Sequence, residues 1–341
     1  MGQSIPVGII GASGYVGGEL MRLLGGHPGF DLGFVTGDTQ AGQPVADLYP
    51  HLAAISAEQE FVKYDSHLLD EVALAFLALP HGQSMALAGD VLDQGKVAVD
   101  LAADFRLKDA GQYQRWYGEP HQAPDRLGQF AYGLPELFRD ELAGATAAAV
   151  PGCYPTAAAL AIAPLVRTGL IQPGGVIVDA ASGVSGAGRP PKAHTTFCAV
   201  DEDFTAYGLL DHRHTPEIEQ AAGASVLFTP HLAPMNRGIL ATCYAKPAAG
   251  TSTDALLAAL AEFYADEPFI VVSERSPSTK ATLGSNAAHL TVRYDARTNT
   301  VVVLCAIDNL VKGAAGQAIQ CANLISGLDE ATGLTAVGVC P

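Results

Sequence analysis

No stretch of this 341-residue chain is long and apolar enough to cross a bilayer. The longest runs, residues 72–79 and 157–166, are short or interrupted by Pro164, whereas a span needs about 20 apolar residues. Basic residues are scarce as well: 19 lysines and arginines stand against 35 aspartates and glutamates, a formal charge of −16. Such a balance argues against nucleic acid and anionic lipid surfaces as partners. It admits a small anionic substrate, because single cations and helix termini act locally. The six cysteines (Cys153, Cys198, Cys243, Cys305, Cys321, Cys340) include no C-x-x-C pair, so the spacing offers neither a zinc site nor a disulfide framework, and no metal is expected. The opening MGQSIPVGIIGASGYVG carries no basic segment and no cleavage site. No leader is therefore expected, and the thiols are expected to be reduced in the cytoplasm. Internal repeats and low-complexity linkers are missing too.

What is present is 49% hydrophobic residues, 37 glycines and only 16% charge, a composition suited to a compact α/β protein whose length favours two domains. Through residue 150, apolar runs alternate with helical stretches: IPVGIIG, FDLGFVTGD, VALAFLALP and KVAVDLAADF read as strands separated by helices. Uniformly apolar strands in strand–helix–strand order predict a parallel sheet covered on both faces. After Val150 the pattern becomes GVIVDAASGVSG, SVLFTPHLA, RGILATCYAKP, FIVVSE, AHLTVRYD and TVVVLCAID. Strands joined by short turns predict a mostly antiparallel sheet, so the second domain reads as α+β. The segment NLVKGAAGQAIQCANLISG reads as a closing helix rich in small residues.

Gly11, Gly14 and Gly17 follow the first strand and open a helix. In that context a glycine-rich turn serves a dinucleotide: one glycine turns the chain, one admits the pyrophosphate, and one lets helix pack on strand. The second strand ends near Thr36 and Asp38. An acidic residue there suits a ribose 2′-hydroxyl, which leaves NAD and NADP both open. ALPHGQS follows a further strand and offers His81 and Ser84 as groups closing over the cofactor.

In AVPGCYPTAAALAIAP, Cys153 lies between a Pro-Gly turn and a helix expected to start near Pro155. A helix N-terminus stabilises a thiolate, and the thiolate is the nucleophile. GLLDHRHTPEIEQ supplies His212 and His214, with Glu217 behind them, and histidine can act as acid and base in turn. Anion-binding groups gather in three loops: Arg106; Ser185, Gly186, Gly188, Arg189 and Lys192; and Asn236 with Arg237. Backbone amides beside a basic side chain suit an oxyanion or phosphate.

Across nearly its whole length the chain resembles the N-acetyl-γ-glutamyl-phosphate reductases of arginine biosynthesis. The resemblance rests on GASGYVGGEL, ALPHG, DFRL, YGLPEL, PGCYPTA, SGVSGAG, HRHTPEI, APMNRGIL and DNLVKGAAGQAIQ, in that order. It implies a Rossmann domain (residues 1–150 with 309–341), a catalytic and oligomerisation domain (151–308), NADPH as hydride donor, and a homo-oligomer, dimer or tetramer. Carried onto this chain, Cys153 is the nucleophile and His214 the acid–base group. NADP(H) would be held by Gly11, Ser13, Gly14, Tyr15, Val16, Thr36, Pro80, His81, Ser182, Gly183 and Asn309. N-acetylglutamyl phosphate would meet Arg106, Ser185, Gly186, His212 and Glu217. The motifs specify the reaction more firmly than the side chain, so aspartyl phosphate is an alternative substrate. A non-catalytic nucleotide sensor is an alternative of another class.

Overall fold

The computed structural model describes residues 4–56 and 58–340; Met1–Gln3, which the leader reading included, lie outside the described residues. The chain divides into two compact units. The first runs through Pro151 and includes Ala314–Leu334; the second comprises Gly152–Gly313 and the residues from Thr335.

Among the described residues, six strands form the sheet of the first unit: β1 (Ile5–Ile10), β2 (Phe30–Val35), β3 (Leu74–Leu77), β4 (Val97–Asp100), β5 (Ala131–Tyr132) and β6 (Ala147–Ala149). Their spatial order is β2-β1-β3-β4-β6-β5, and every pairing is parallel. This is the parallel sheet that the apolar strands predicted. β3 and β6 are buried along their whole length, which such strands require when helices cover both faces. The strand order reverses at β1, so β1 and β3 form a switch point, and the crevice beyond their carboxyl ends is the position where open α/β sheets bind ligands. The loops at those two ends are residues 11–14 and 78–83. The helix Gly316–Ile325 also belongs to this unit, its buried face running from Gly316 to Asn323.

The second unit holds seven strands: β7 (Val176–Gly183), β8 (Thr205–Ala206), β9 (Val226–Ala233), β10 (Ile239–Ala245), β11 (Ile270–Val272), β12 (Ala288–Asp295) and β13 (Thr300–Ile307). The order is β11-β12-β13-β10-β7-β9-β8. β7–β9 and β11–β12 are parallel and the other four pairings antiparallel, as expected of an α+β domain. One face is covered by the helices Cys153–Arg167 and Thr253–Phe263, with Thr215–Ala222 packed on the first of them. The helix Cys153–Arg167 is buried from Tyr154 to Leu165, and its alanines let it approach the strands closely. Pro164 lies inside it and has no N–H for the Leu160 carbonyl. The Tyr264 hydroxyl donates to that carbonyl instead, at 2.7 Å.

Candidate functional site

In the first unit the glycine turn has the geometry a dinucleotide requires. Gly11 is left-handed at φ 87°, and a side chain there would meet the Ala78 carbonyl at 2.7 Å. A Cβ on Gly17 would collide with the Ala12 backbone, so the helix Tyr15–Leu24 can lie against the strand end only because that residue is glycine. Gly14, between them, faces open space. The helix N-terminus carries no side-chain cap, so its amides and dipole are presented to an anion. Thr36 has a structural task here: it is buried, its hydroxyl accepts the Gly11 N–H at 3.0 Å, and its carbonyl accepts the Ala12 N–H at 2.7 Å. Tyr49, which no sequence signal singled out, places its hydroxyl oxygen 2.9 and 2.7 Å from the carbonyls of Ser13 and Gly14, which share its one proton. Ser13, Gly14 and Val16 are half-buried along the turn, and Tyr15 and Asp38 are exposed.

Pro80 is exposed on the neighbouring loop. His81 is held there, with Nδ1 3.0 Å from Asp104 Oδ1 and Nε2 3.3 Å from Glu119 Oε1. Arg106 is buried, donating from Nε to the Val150 carbonyl and from Nη2 to the Leu101 carbonyl, each at 2.8 Å. It therefore ties down the strand end that leads to the Cys153 turn.

In the second unit Cys153 is the first residue of its helix, two positions ahead of the expected start at Pro155, with Gly152 as the cap. The sulfur-bearing residue thus sits where helical N–H groups and the dipole favour a thiolate. Gly152 joins three of the candidate side chains. Its N–H donates to Glu217 Oε1 at 2.8 Å. The His214 imidazole lies flat enough on it that a Cβ would come within 2.7 Å of Cε1. Gly313 presses from another side, where a Cβ would fall 2.8 Å from the Cys153 Cβ. Glu217 is buried, one turn into the helix Thr215–Ala222 that His214 caps. Cys153, His214 and Glu217 are therefore brought together around one glycine.

The neighbouring groups separate by protonation. The Nδ1 of His212 accepts the His214 backbone N–H at 3.2 Å, and its ring stands edge-on to Tyr154, Tyr207 and Phe228. Burial lowers His212 to about 4, the Asp211 charge opposing and Arg213 adding to the shift, so at neutral pH it is an uncharged brace. Burial likewise holds the Tyr154 phenol far above its usual range and Tyr207 at about 12. Tyr207 donates to the Tyr154 oxygen at 3.2 Å, and Tyr154 donates to the His231 carbonyl at 3.0 Å. Both phenols keep their protons, and His214 and Glu217 are the titratable side chains packed against Gly152.

Ser182, Gly183, Ser185, Gly186 and Asn309 also converge. Asn309 donates to the Ser185 hydroxyl at 2.9 Å and accepts the Gly238 N–H at 2.7 Å. The Ser185 N–H donates to the Asn236 carbonyl at 3.1 Å. Side chains at Gly183 or Gly186 would strike the Asn236–Arg237 backbone or the Ser182 hydroxyl. Arg237 is neutralised by buried Asp308, its Nε 3.0 Å from Oδ2. Asp308 also accepts the N–H groups of Gly284 and Leu310. Arg189 is half-buried and Lys192 exposed.

Comparison with known proteins follows the same division. The family described as semialdehyde dehydrogenase, NAD binding domain, matches residues 6–145, and that described as semialdehyde dehydrogenase, dimerisation domain, matches 153–309. The chain is 48% identical over 345 residues to the N-acetyl-γ-glutamyl-phosphate reductase of Desulforudis audaxviator, covering 99% of this chain and all of that one. It is 47% identical to the reductase of the same name from Magnetococcus marinus, with both chains covered in full. Among solved structures it shares its fold with aspartate semialdehyde dehydrogenase II of Vibrio cholerae, at a TM-score of 0.73 and 16% identity over 96% of this chain and 99% of that one. Among the described residues, no helix is long and apolar enough to cross a membrane.

Proposed function

The chain belongs to the N-acetyl-γ-glutamyl-phosphate reductases of the semialdehyde dehydrogenase family, and from that membership we propose that it reduces N-acetyl-γ-glutamyl phosphate to N-acetylglutamate 5-semialdehyde in arginine biosynthesis. The observation that carries the reading is the packing at Gly152, where nucleophile, imidazole and buried carboxylate meet.

The Cys153 thiol passes its proton to His214, and the thiolate attacks the acyl carbon of the mixed anhydride. A C–S bond forms, the C–O bond to phosphate breaks, and orthophosphate leaves with the electron pair, giving a thioester. The turn at residues 11–16 and the loop at 80–81 would hold NADPH, which when bound would supply the hydride that the thioester carbon accepts. The oxyanion on the sulfur-bound carbon is stabilised by amides at the start of the Cys153 helix and by the proton that His214 holds. Breaking of the C–S bond then releases the semialdehyde and restores the thiolate. Ser185 and Gly186, braced by Asn309, offer donors for the phosphoryl oxygens. Covalent catalysis fits because a thioester accepts hydride where a carboxylate does not. The same reading assigns the enzyme to the cytoplasm and makes it a homo-oligomer through its second unit.

The test is NADPH oxidation with N-acetylglutamyl phosphate set against aspartyl phosphate, for wild type and Cys153→Ser. Wild-type turnover on the N-acetylated substrate, abolished in the variant while NADPH still binds, is expected. Preference for aspartyl phosphate would overturn the substrate, and near-normal turnover of the variant would overturn the mechanism.

A further inference from the structure

Two buried carboxyl groups beneath the dinucleotide loop compete for a single hydroxyl proton. Ser84 opens the helix Ser84–Asp93, and its Oγ lies 2.9 Å from Asp104 Oδ2 and 3.1 Å from Asp100 Oδ2. Both aspartates and the serine are fully buried. A hydroxyl donates once. Asp104 is richly supplied otherwise: it accepts the N–H groups of Gly82 at 2.9 Å and Ser84 at 3.1 Å and faces His81 Nδ1 at 3.0 Å. Asp100 accepts the Ala102 N–H on Oδ1 at 3.0 Å, while its Oδ2 faces the oxygen that Asp104 also claims. Two ionised carboxylates sharing one donor away from water repel each other. One added proton resolves the conflict, with Asp100 as a carboxylic acid donating to Ser84 and Ser84 donating to Asp104.

We infer that Asp100 and Asp104 are positioning residues for the dinucleotide, the proton shared through Ser84 fixing residues 80–82 at the edge of the crevice, and that loss of this proton loosens the loop. The inference rests on the reductase reading only in treating that loop as part of the dinucleotide site. Asp104 is the hub: its side chain takes the loop's amides, and its own carbonyl lies 2.7 Å from His121 Nε2. The charged and titratable groups around the pair come from every adjoining element. Arg106 lies on the same turn. His81, on the loop, is paired with Glu119. Tyr113, from the helix Ala110–Tyr117, lies 3.5 Å from Asp104 Oδ1. Burial pushes the Asp100 carboxyl up to about 7, with the Asp104 charge reinforcing the shift and the Ala102 N–H, Arg106 and Ser84 opposing it. The acid form therefore prevails below neutrality and is lost as pH rises through that value.

The experiment is NADPH affinity, by fluorescence titration of the full chain at a series of pH values, with thermal unfolding of each variant beside it. Wild type is expected to bind several-fold more weakly on the alkaline side of neutrality. Asp100→Asn, which cannot ionise, should keep the acid-side affinity and lose the pH dependence that wild type shows. Asp104→Asn should weaken binding by about tenfold throughout. Should that variant not fold, Ser84→Ala, which removes the bridge without adding charge, should still weaken binding several-fold. A wild-type profile in Asp100→Asn, or wild-type affinity in Asp104→Asn or Ser84→Ala, overturns the inference alone. Wild-type enzyme that binds no NADPH at any pH overturns the reductase reading with it.

Discussion

A methyl group at position 152 would do more harm than most larger changes elsewhere, because the His214 ring occupies the space it would need. A Cβ there would lie 2.7 Å from the His214 Cε1, so the imidazole must move or the Cys153 turn must. A displacement of about 1 Å in a catalytic group costs on the order of a hundredfold in rate. Gly152→Ala is therefore expected to lower kcat by about two orders of magnitude with NADPH affinity unchanged, checked by steady-state kinetics beside fluorescence titration. Equal kcat would mean that the imidazole takes no part. The sequence singled out Cys153 and the pair His212 and His214 as candidates, because a thiol beside a helix start and a histidine pair before another suit nucleophile and acid–base roles; the choice of His214 came with the family resemblance. Gly152 read there as a bend and nothing more. The space requirement is invisible locally, since the ring that fills it arrives from a distant helix. Asp104 and Tyr49 were hidden for the same reason: their partners are backbone groups that only the fold brings near.

Element by element, apolar periodicity located the strands well, because both sheets bury continuous or alternating apolar faces. β5, β6 and β8 escaped it, as strands of two or three residues carry no period. The closing helix was expected from Asn309. Residues Val311–Ala315 instead form a wide π turn, and the α-helix begins at Gly316. The sequence could not show that Gly313 must pack on Cys153 within that turn. The helix Cys153–Arg167 makes a separate energetic point. It tolerates an interior proline because the Tyr264 hydroxyl takes the carbonyl that Pro164 leaves unserved. Removing that donor strands a buried acceptor, a loss of about 1–3 kcal/mol. Tyr264→Phe should lower the free energy of unfolding in urea by that amount while leaving kcat within a factor of about two. No change in the urea midpoint would mean that the carbonyl finds another donor.

On the scale of the whole molecule, the face of the second sheet turned away from its covering helices bears on the proposed assembly, and the registers define it. Leu227, Ile177, Tyr244, Val302 and Arg293 form one row across neighbouring strands, and Thr229, Asp179, Thr242, Leu304 and Thr291 form the next. Ile177 and Leu227 are 38% and 47% exposed, which is costly for apolar side chains standing side by side on a sheet. Five strands about 4.8 Å apart, rising about 3.3 Å per residue, give this face an area of roughly 600 Å². That is at the lower end of the about 600–1,000 Å² per partner of a specific interface. A chain of charge −16 repels its copies at long range, so short-range contact, including that of the exposed Ile177 and Leu227, must supply the attraction. The proposed homo-oligomer should therefore form through this face. Light scattering on the eluting peak should give the wild-type mass as twice that of the chain or a multiple of it. Ile177→Asp with Leu227→Asp should reduce that mass, since two carboxylates facing their copies would have to be buried unpaired. A double variant with the wild-type mass and an unchanged melting curve would move the interface to another surface.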